Sequence, residues 1–143
     1  MPDWINNTFV LYGSAEDLQA IYDTGFDFAT LYPSPPALDN DGREDWWIRN
    51  WGTKWPAQNI EMDLHRELGT LRIQCQTAWV TPHIILSHLT AVRYPNVRIA
   101  SVFEHERGPG HVVYDKGNIS GTCGSESIAI TYAEIESILR LWA

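Results

Sequence analysis

An α+β fold, an antiparallel sheet covered on one face by helices, is what this 143-residue sequence predicts. Three observations carry it. Ile60, Met62 and Leu64, and then Leu71, Ile73, Cys75 and Thr77, alternate with polar residues at a period of two, the signature of half-buried strands. Apolar residues spaced three and four apart mark helices between these and other β-forming runs. A composition of 44% hydrophobic and 20% charged residues is that of one domain, long enough to bury about two-thirds of its unfolded surface.

In chain order, residues 7–12 read as a strand, since Thr8, Phe9, Val10 and Leu11 are β-formers bounded by Asn and Gly. Ser14 is a helix N-cap, with Glu16 and Asp17 in the first turn where the helix dipole favours acids. Leu18, Ile21 and Tyr22 share the face of this helix, and Gly25 closes it. Residues 26–41 contain Pro33, Pro35 and Pro36 and are expected to form an irregular, ordered crossover pinned by Phe26, Phe28, Leu31 and Tyr32. Residues 44–51 read as a second short helix, with Trp47 and Trp51 four apart and Gly52 at the left-handed C-terminal position.

The two alternating runs pair through a turn at residues 66–69. Thr81-Pro82 opens a helix whose buried stripe is Ile85, Leu86, Leu89 and Val92, and Pro95 ends it. Residues 97–106 form a strand, 107–110 a turn, and 111–115 its hairpin partner; 117–124 are expected to be a loop. Thr131 and Glu134 make a capping box ahead of a last stripe, Ile135, Ile138, Leu139 and Trp142. The order β-α-(α)-β-β-α-β, plus a strand and a helix, matches the split βαβ, ferredoxin-like arrangement within a single domain, 1–143; a different α+β strand order is the alternative.

Charge is unevenly placed. The net charge is −8, and residues 1–45 hold nine acids against one base, whereas 46–143 hold nine of each. An acidic face repels phosphate backbones and suits a basic protein partner. The candidates for it are Glu16, Asp17 and Asp23 by the first helix, and Asp39, Asp41, Glu44 and Asp45 at the end of the crossover. The alternative is simple solubilisation.

Residues 1–10 contain no basic start or apolar stretch of a signal peptide, and no run reaches the roughly 18 apolar residues of a membrane span, so a cytoplasmic protein without a membrane partner is expected. Cys75 and Cys123 form no CxxC pattern, no HExxH, GxSxG, P-loop or GxGxxG occurs, and no metal or cofactor is expected. With a turn at 107–110, Glu106 would face His111 across the hairpin and Glu104 would share its face. That trio could serve as an acid–base pair or part of a metal site, or simply as an exposed ion pair. Two lysines in the chain and no aromatic residue at 71–77 argue against direct nucleic-acid binding.

The most distinctive segment is Asp45-Trp46-Trp47-Ile48-Arg49-Asn50-Trp51-Gly52-Thr53-Lys54-Trp55. Together with Thr77-Ala78-Trp79, Pro82, Tyr94-Pro95 and Glu104, it resembles the YubB-type ferredoxin-like family of phage- and plasmid-borne proteins. The likeness covers about residues 5–117, leaving 118–143 as a C-terminal extension. It departs at residues 105–110 and after Gly121. The resemblance implies a fold and a mobile-element origin rather than an activity. Read physically, Trp51, Trp55 and Trp79 are large rings suited to fill a helix–sheet layer, with Lys54 as a cation–π partner. The alternative is a ligand pocket of Trp51, Lys54, Trp55 and Trp79.

The function expected is therefore a non-enzymatic, protein-binding effector acting on a basic host protein or complex, such as an acidic inhibitor of a host-defence complex of the CRISPR kind. The alternative is a small ligand-binding domain or enzyme using the tryptophan-rich pocket with Glu104, Glu106 and His111.

Overall fold

The structure, a computed structural model, describes residues 4–33, 40–53, 56–78, 81–105 and 108–135; at residues 40, 41, 43–45 and 105 it describes the backbone alone. β1 (Trp4–Tyr12) begins three residues ahead of the expected strand. α1 (Ala15–Asp23) follows, with the Ser14 hydroxyl accepting from the Asp17 amide at 3.2 Å, the cap the sequence predicted. Leu18 and Ile21 are buried beneath α1, but Tyr22 is exposed. The crossover contains a short helix, α2 (Phe28–Leu31), and then α3 (Asn40–Asn50), which starts four residues earlier than its pattern indicated. Gly52 takes φ +81 after α3, as expected of it.

β2 (Gln58–His65) and β3 (Thr70–Ala78) form the predicted antiparallel pair, joined by a 3-10 turn at Arg66–Leu68. α4 (His83–His88) runs into a π-helical turn at Leu89–Arg93, where the Tyr94 amide reaches the Leu89 carbonyl at 2.7 Å. The wider turn breaks the 3.6-residue period, so Val92, expected in the buried stripe, is exposed. Thr81 does not cap this helix, because its hydroxyl is used at 2.8 Å on Asn7 Oδ1.

β4 (Arg98–His105) and β5 (Gly108–Asp115) pair with His105 opposite Gly108, leaving two residues between the strands instead of the expected four-residue turn. Residues 117–124, expected to be a loop, are mostly strand: β6 (Asn118–Cys123) and, beyond it, β7 (Glu126–Ile130). The signal missed was turn chemistry. Asp115 faces Asn118 across Lys116-Gly117, both at positive φ (+50 and +84), the backbone of a type I′ hairpin turn. Gly124-Ser125 then makes a second two-residue turn. Thr131 and Glu134 do form the capping box, opening a helical turn at 132–135 with Ile135 buried. Ile138, Leu139 and Trp142 lie outside the described residues.

The sheet is antiparallel throughout, in the order β2-β3-β1-β4-β5-β6-β7. Residues 118–130 thus continue the main sheet and add strands to its far edge. One face carries the core, including Phe9, Leu11, Leu71, Ile73, Ile99, Val112 and Tyr114, all fully or nearly fully buried. α1 covers β2 and β3 on this face, α4 covers β5 and β6, and α3 packs on α4. Ser87 Oγ donates to the Gly117 carbonyl and Thr90 Oγ1 accepts from the Gly117 amide, so the β5–β6 turn is plugged into α4 and its π turn.

Candidate functional site

Strand parity places every second side chain on the uncovered side of the sheet. At its centre, Val10, Ala100 and Val113 stand in one cross-strand row on β1, β4 and β5. Tyr12, two residues from Val10, is 43% exposed, and Val102, two residues from Ala100, is 51% exposed. Around this apolar centre the registers set Thr8 and His111 beside Val102, and Arg98 beside Tyr12 with Asp115 opposite it. The result is a flat apolar patch with a polar rim.

Glu16 and Asp23 are exposed on α1, with Asp17 half-buried between them. The first basic residue of the chain is Arg43, so nothing on α1 or α2 offsets these acids. The backbones of Asp41, Glu44 and Asp45 belong to α3; Asp39 lies outside the described residues.

Trp51 is a core residue. It is fully buried, stacked on Trp47 at 5.0 Å and edge-on to Phe28 at 5.6 Å, and its Nε1 donates to the Tyr32 carbonyl at 2.8 Å. Lys54, Trp55 and Trp79, and likewise Glu106, lie outside the described residues. The expected pairing of Glu106 with His111 is corrected by the register: His111 faces Val102, and Glu104 faces Pro109. The shorter connection slides β5 by four positions. An even slide preserves face parity, so Glu104 and His111 remain diagonal neighbours on the open side.

Beneath the sheet, two polar clusters escaped the sequence reading. Asn7 Nδ2 donates to Thr77 Oγ1 at 2.9 Å and to the Ile5 carbonyl at 3.1 Å, while its Oδ1 accepts from Thr81; Asn7, Thr77 and Thr81 are all buried. Nearby, His83 Nδ1 hydrogen-bonds the Tyr114 hydroxyl. Burial pushes the Tyr114 phenol well above its ordinary range, an effect moderated by the neighbouring Ser101 hydroxyl. Ser101 Oγ is itself buried without a hydrogen bond of good geometry. The signal available was parity, since Asn7 and Ser101 fall at inward positions between apolar residues.

Cys75 is buried and Cys123 half-buried, both as free thiols, and burial pushes the Cys75 thiol up to about 12. Cys123, expected in a loop, ends β6 and packs against the core. Among the described residues no group of three or more His, Cys, Asp or Glu is placed to hold a metal ion. No helix among them is long and apolar enough to cross a membrane.

The fold and site thus define an α+β domain in which, among the described residues, the helices cover one face of the sheet. No protein-family model matches the chain, and no curated protein matches it. Among solved structures, it is similar to a protein api92 from Yersinia pseudotuberculosis, of the family DUF1281, with 19% identity and a TM-score of 0.47. The match covers 64% of this chain and 33% of that one, so the chain spans about a third of that protein's length.

Proposed function

We propose that this chain is a non-enzymatic protein-binding domain that docks a basic partner protein through the uncovered face of its sheet. The observation that carries this reading is the patch of Val10, Tyr12, Ala100, Val102 and Val113 within a polar rim, the anatomy of a protein interface. Glu16, Asp17 and Asp23 lie on α1, on the other side of the sheet. Their field steers a basic partner from a distance without forming the contact itself.

We read the core as ferredoxin-like, supported by the order β2-β3-β1-β4 with helices after β1 and after β3. The likeness of residues 50–55 to the YubB-type family supports a mobile-element effector acting in the cytoplasm, an inhibitor of a host-defence complex among the candidates.

The test is affinity capture with the wild-type chain, Val102→Asp and a Glu16→Lys/Asp23→Lys double variant, each first shown to melt like wild type. A stoichiometric basic partner lost with Val102→Asp, and bound more slowly and with a shallower salt dependence by the double variant, supports the reading. A partner retained equally by Val102→Asp overturns the docking face.

A further inference from the structure

On the same open side, but at the opposite end of the sheet from β5–β7, lies a polar furrow across β2, β3 and β1. It encloses about 390 Å³, and Asn6, Asn59, Glu61, Gln74 and Gln76 contribute to its lining. A second hollow of about 220 Å³ shares Glu61 and Gln74 and extends to Asp63 and Arg72. We propose that this furrow is a binding site for a neutral saccharide, a ligand independent of the protein partner proposed above.

The amides are pre-organised. Asn59 Nδ2 donates to Gln76 Oε1 at 2.6 Å, and Gln76 Nε2 donates to Asn6 Oδ1 at 3.0 Å, forming a ladder across three strands. The ladder depends on a break in strand regularity: the register shifts between Gln58 and Glu61, and Asn59 takes φ +51. Such a bulge re-aims a side chain. With these bonds made, Asn6 keeps its two N–H donors, Gln76 keeps one, and Asn59 keeps its carbonyl oxygen as an acceptor. Glu61 adds a carboxylate that only accepts.

Donors and acceptors held side by side in this ladder match the vicinal hydroxyls of a sugar ring, each of which both donates and accepts. Charge disfavours anions, because Glu61 and Asp63 line this side of the sheet with Arg72 between the strands and His65 on Asp63 at 2.9 Å. Two adjoining hollows suit a ligand of more than one ring.

The test is titration of the labelled full chain with maltotriose, lactose and diacetylchitobiose, with sialyllactose and a neutral extended tetrapeptide for comparison, followed through the side-chain amide resonances of Asn6, Asn59, Gln74 and Gln76. The expected result is saturable shifts with at least one neutral saccharide, weakened about tenfold in both Asn59→Ala and Gln76→Ala, the loss of roughly one good contact. Asn6→Ala serves in place of either variant that fails to melt like wild type. Absence of shifts with every neutral saccharide, shifts with sialyllactose or the tetrapeptide alone, or affinity unchanged in the variants overturns the proposal. Val102→Asp leaves these shifts intact, which separates this site from the protein-docking face.

Discussion

Tyr32 and His88 stack face to face, with ring centroids 4.0 Å apart and planes 12° from parallel. The contact joins the crossover to the end of α4, and Trp46 closes it edge-on against Tyr32 at 5.1 Å. Burial, and then the positive charge of Arg93, lower the His88 pKa below its ordinary 6.5. The folded chain therefore favours the neutral ring. His88's contribution to stability is full above pH 6.5 and is lost as pH falls through the folded pKa. Melting temperature should drop between pH 7.5 and 5 in wild type and less steeply in His88→Phe, which keeps a ring to stack. An identical drop in both would show that other groups set the acid limb.

Trp51→Ala should destabilise the fold by about 3–5 kcal/mol, the range for emptying a large buried aromatic site. The change removes the ring packed between Phe28 and Trp47 and leaves the Tyr32 carbonyl without its indole donor. Urea unfolding followed by circular dichroism measures it; a loss under about 1 kcal/mol would mean that the neighbouring rings close the gap.

Alkaline pH should act through the core. Cys75 titrates near 12 in the fold, and Tyr114 is also displaced upward by burial. Both protons are held more tightly in the folded state, so this stability is complete below the unfolded thiol range and declines as pH rises through it towards 12. Cys75→Ala should flatten the first part of that decline. In the native protein at pH 8, a thiol reagent should modify half-buried Cys123 well before Cys75.

Gly121→Ala should be among the most damaging small substitutions in the chain. At its φ of +149 an added Cβ would lie 2.0 Å from the His111 carbonyl oxygen and 2.6 Å from Val112 Cα, both backbone atoms that cannot step aside. The β5–β6 pairing must open, and amide hydrogen exchange should rise selectively along residues 110–123. Uniform protection would show that the strands shift as a unit.

What was legible in the sequence was whatever local chemistry decides. The alternation at residues 58–78, the Ser14 cap, the Thr131–Glu134 box and Gly52 were all readable because their partners lie within a few residues. β6 was missed because Asn118, Ser120 and Gly121 are weak β-formers, held in register by β5 and β7 rather than by propensity. The π turn after His88 was unreadable for a similar reason: Gly117, nearly thirty residues later, supplies the groups that bond Ser87 and Thr90. As for the candidate site, charge could be counted from the sequence, but the open patch arises only once Val10, Ala100 and Val113 meet across three strands.

β1 lies between β3 and β4, so the strand made first is bonded on both sides by segments made much later. During synthesis it cannot complete either ladder until residues 70–78 and 98–105 have emerged. Until then its apolar positions, Phe9 and Leu11, and its inward amide, Asn7, lack their cross-strand partners. Such long-range closure slows folding and prolongs exposure of an unpaired strand. The nascent chain is therefore most vulnerable to aggregation while β3 and β4 are still being made, and a binder of extended apolar segments, such as a chaperone, would find residues 4–12 its natural target.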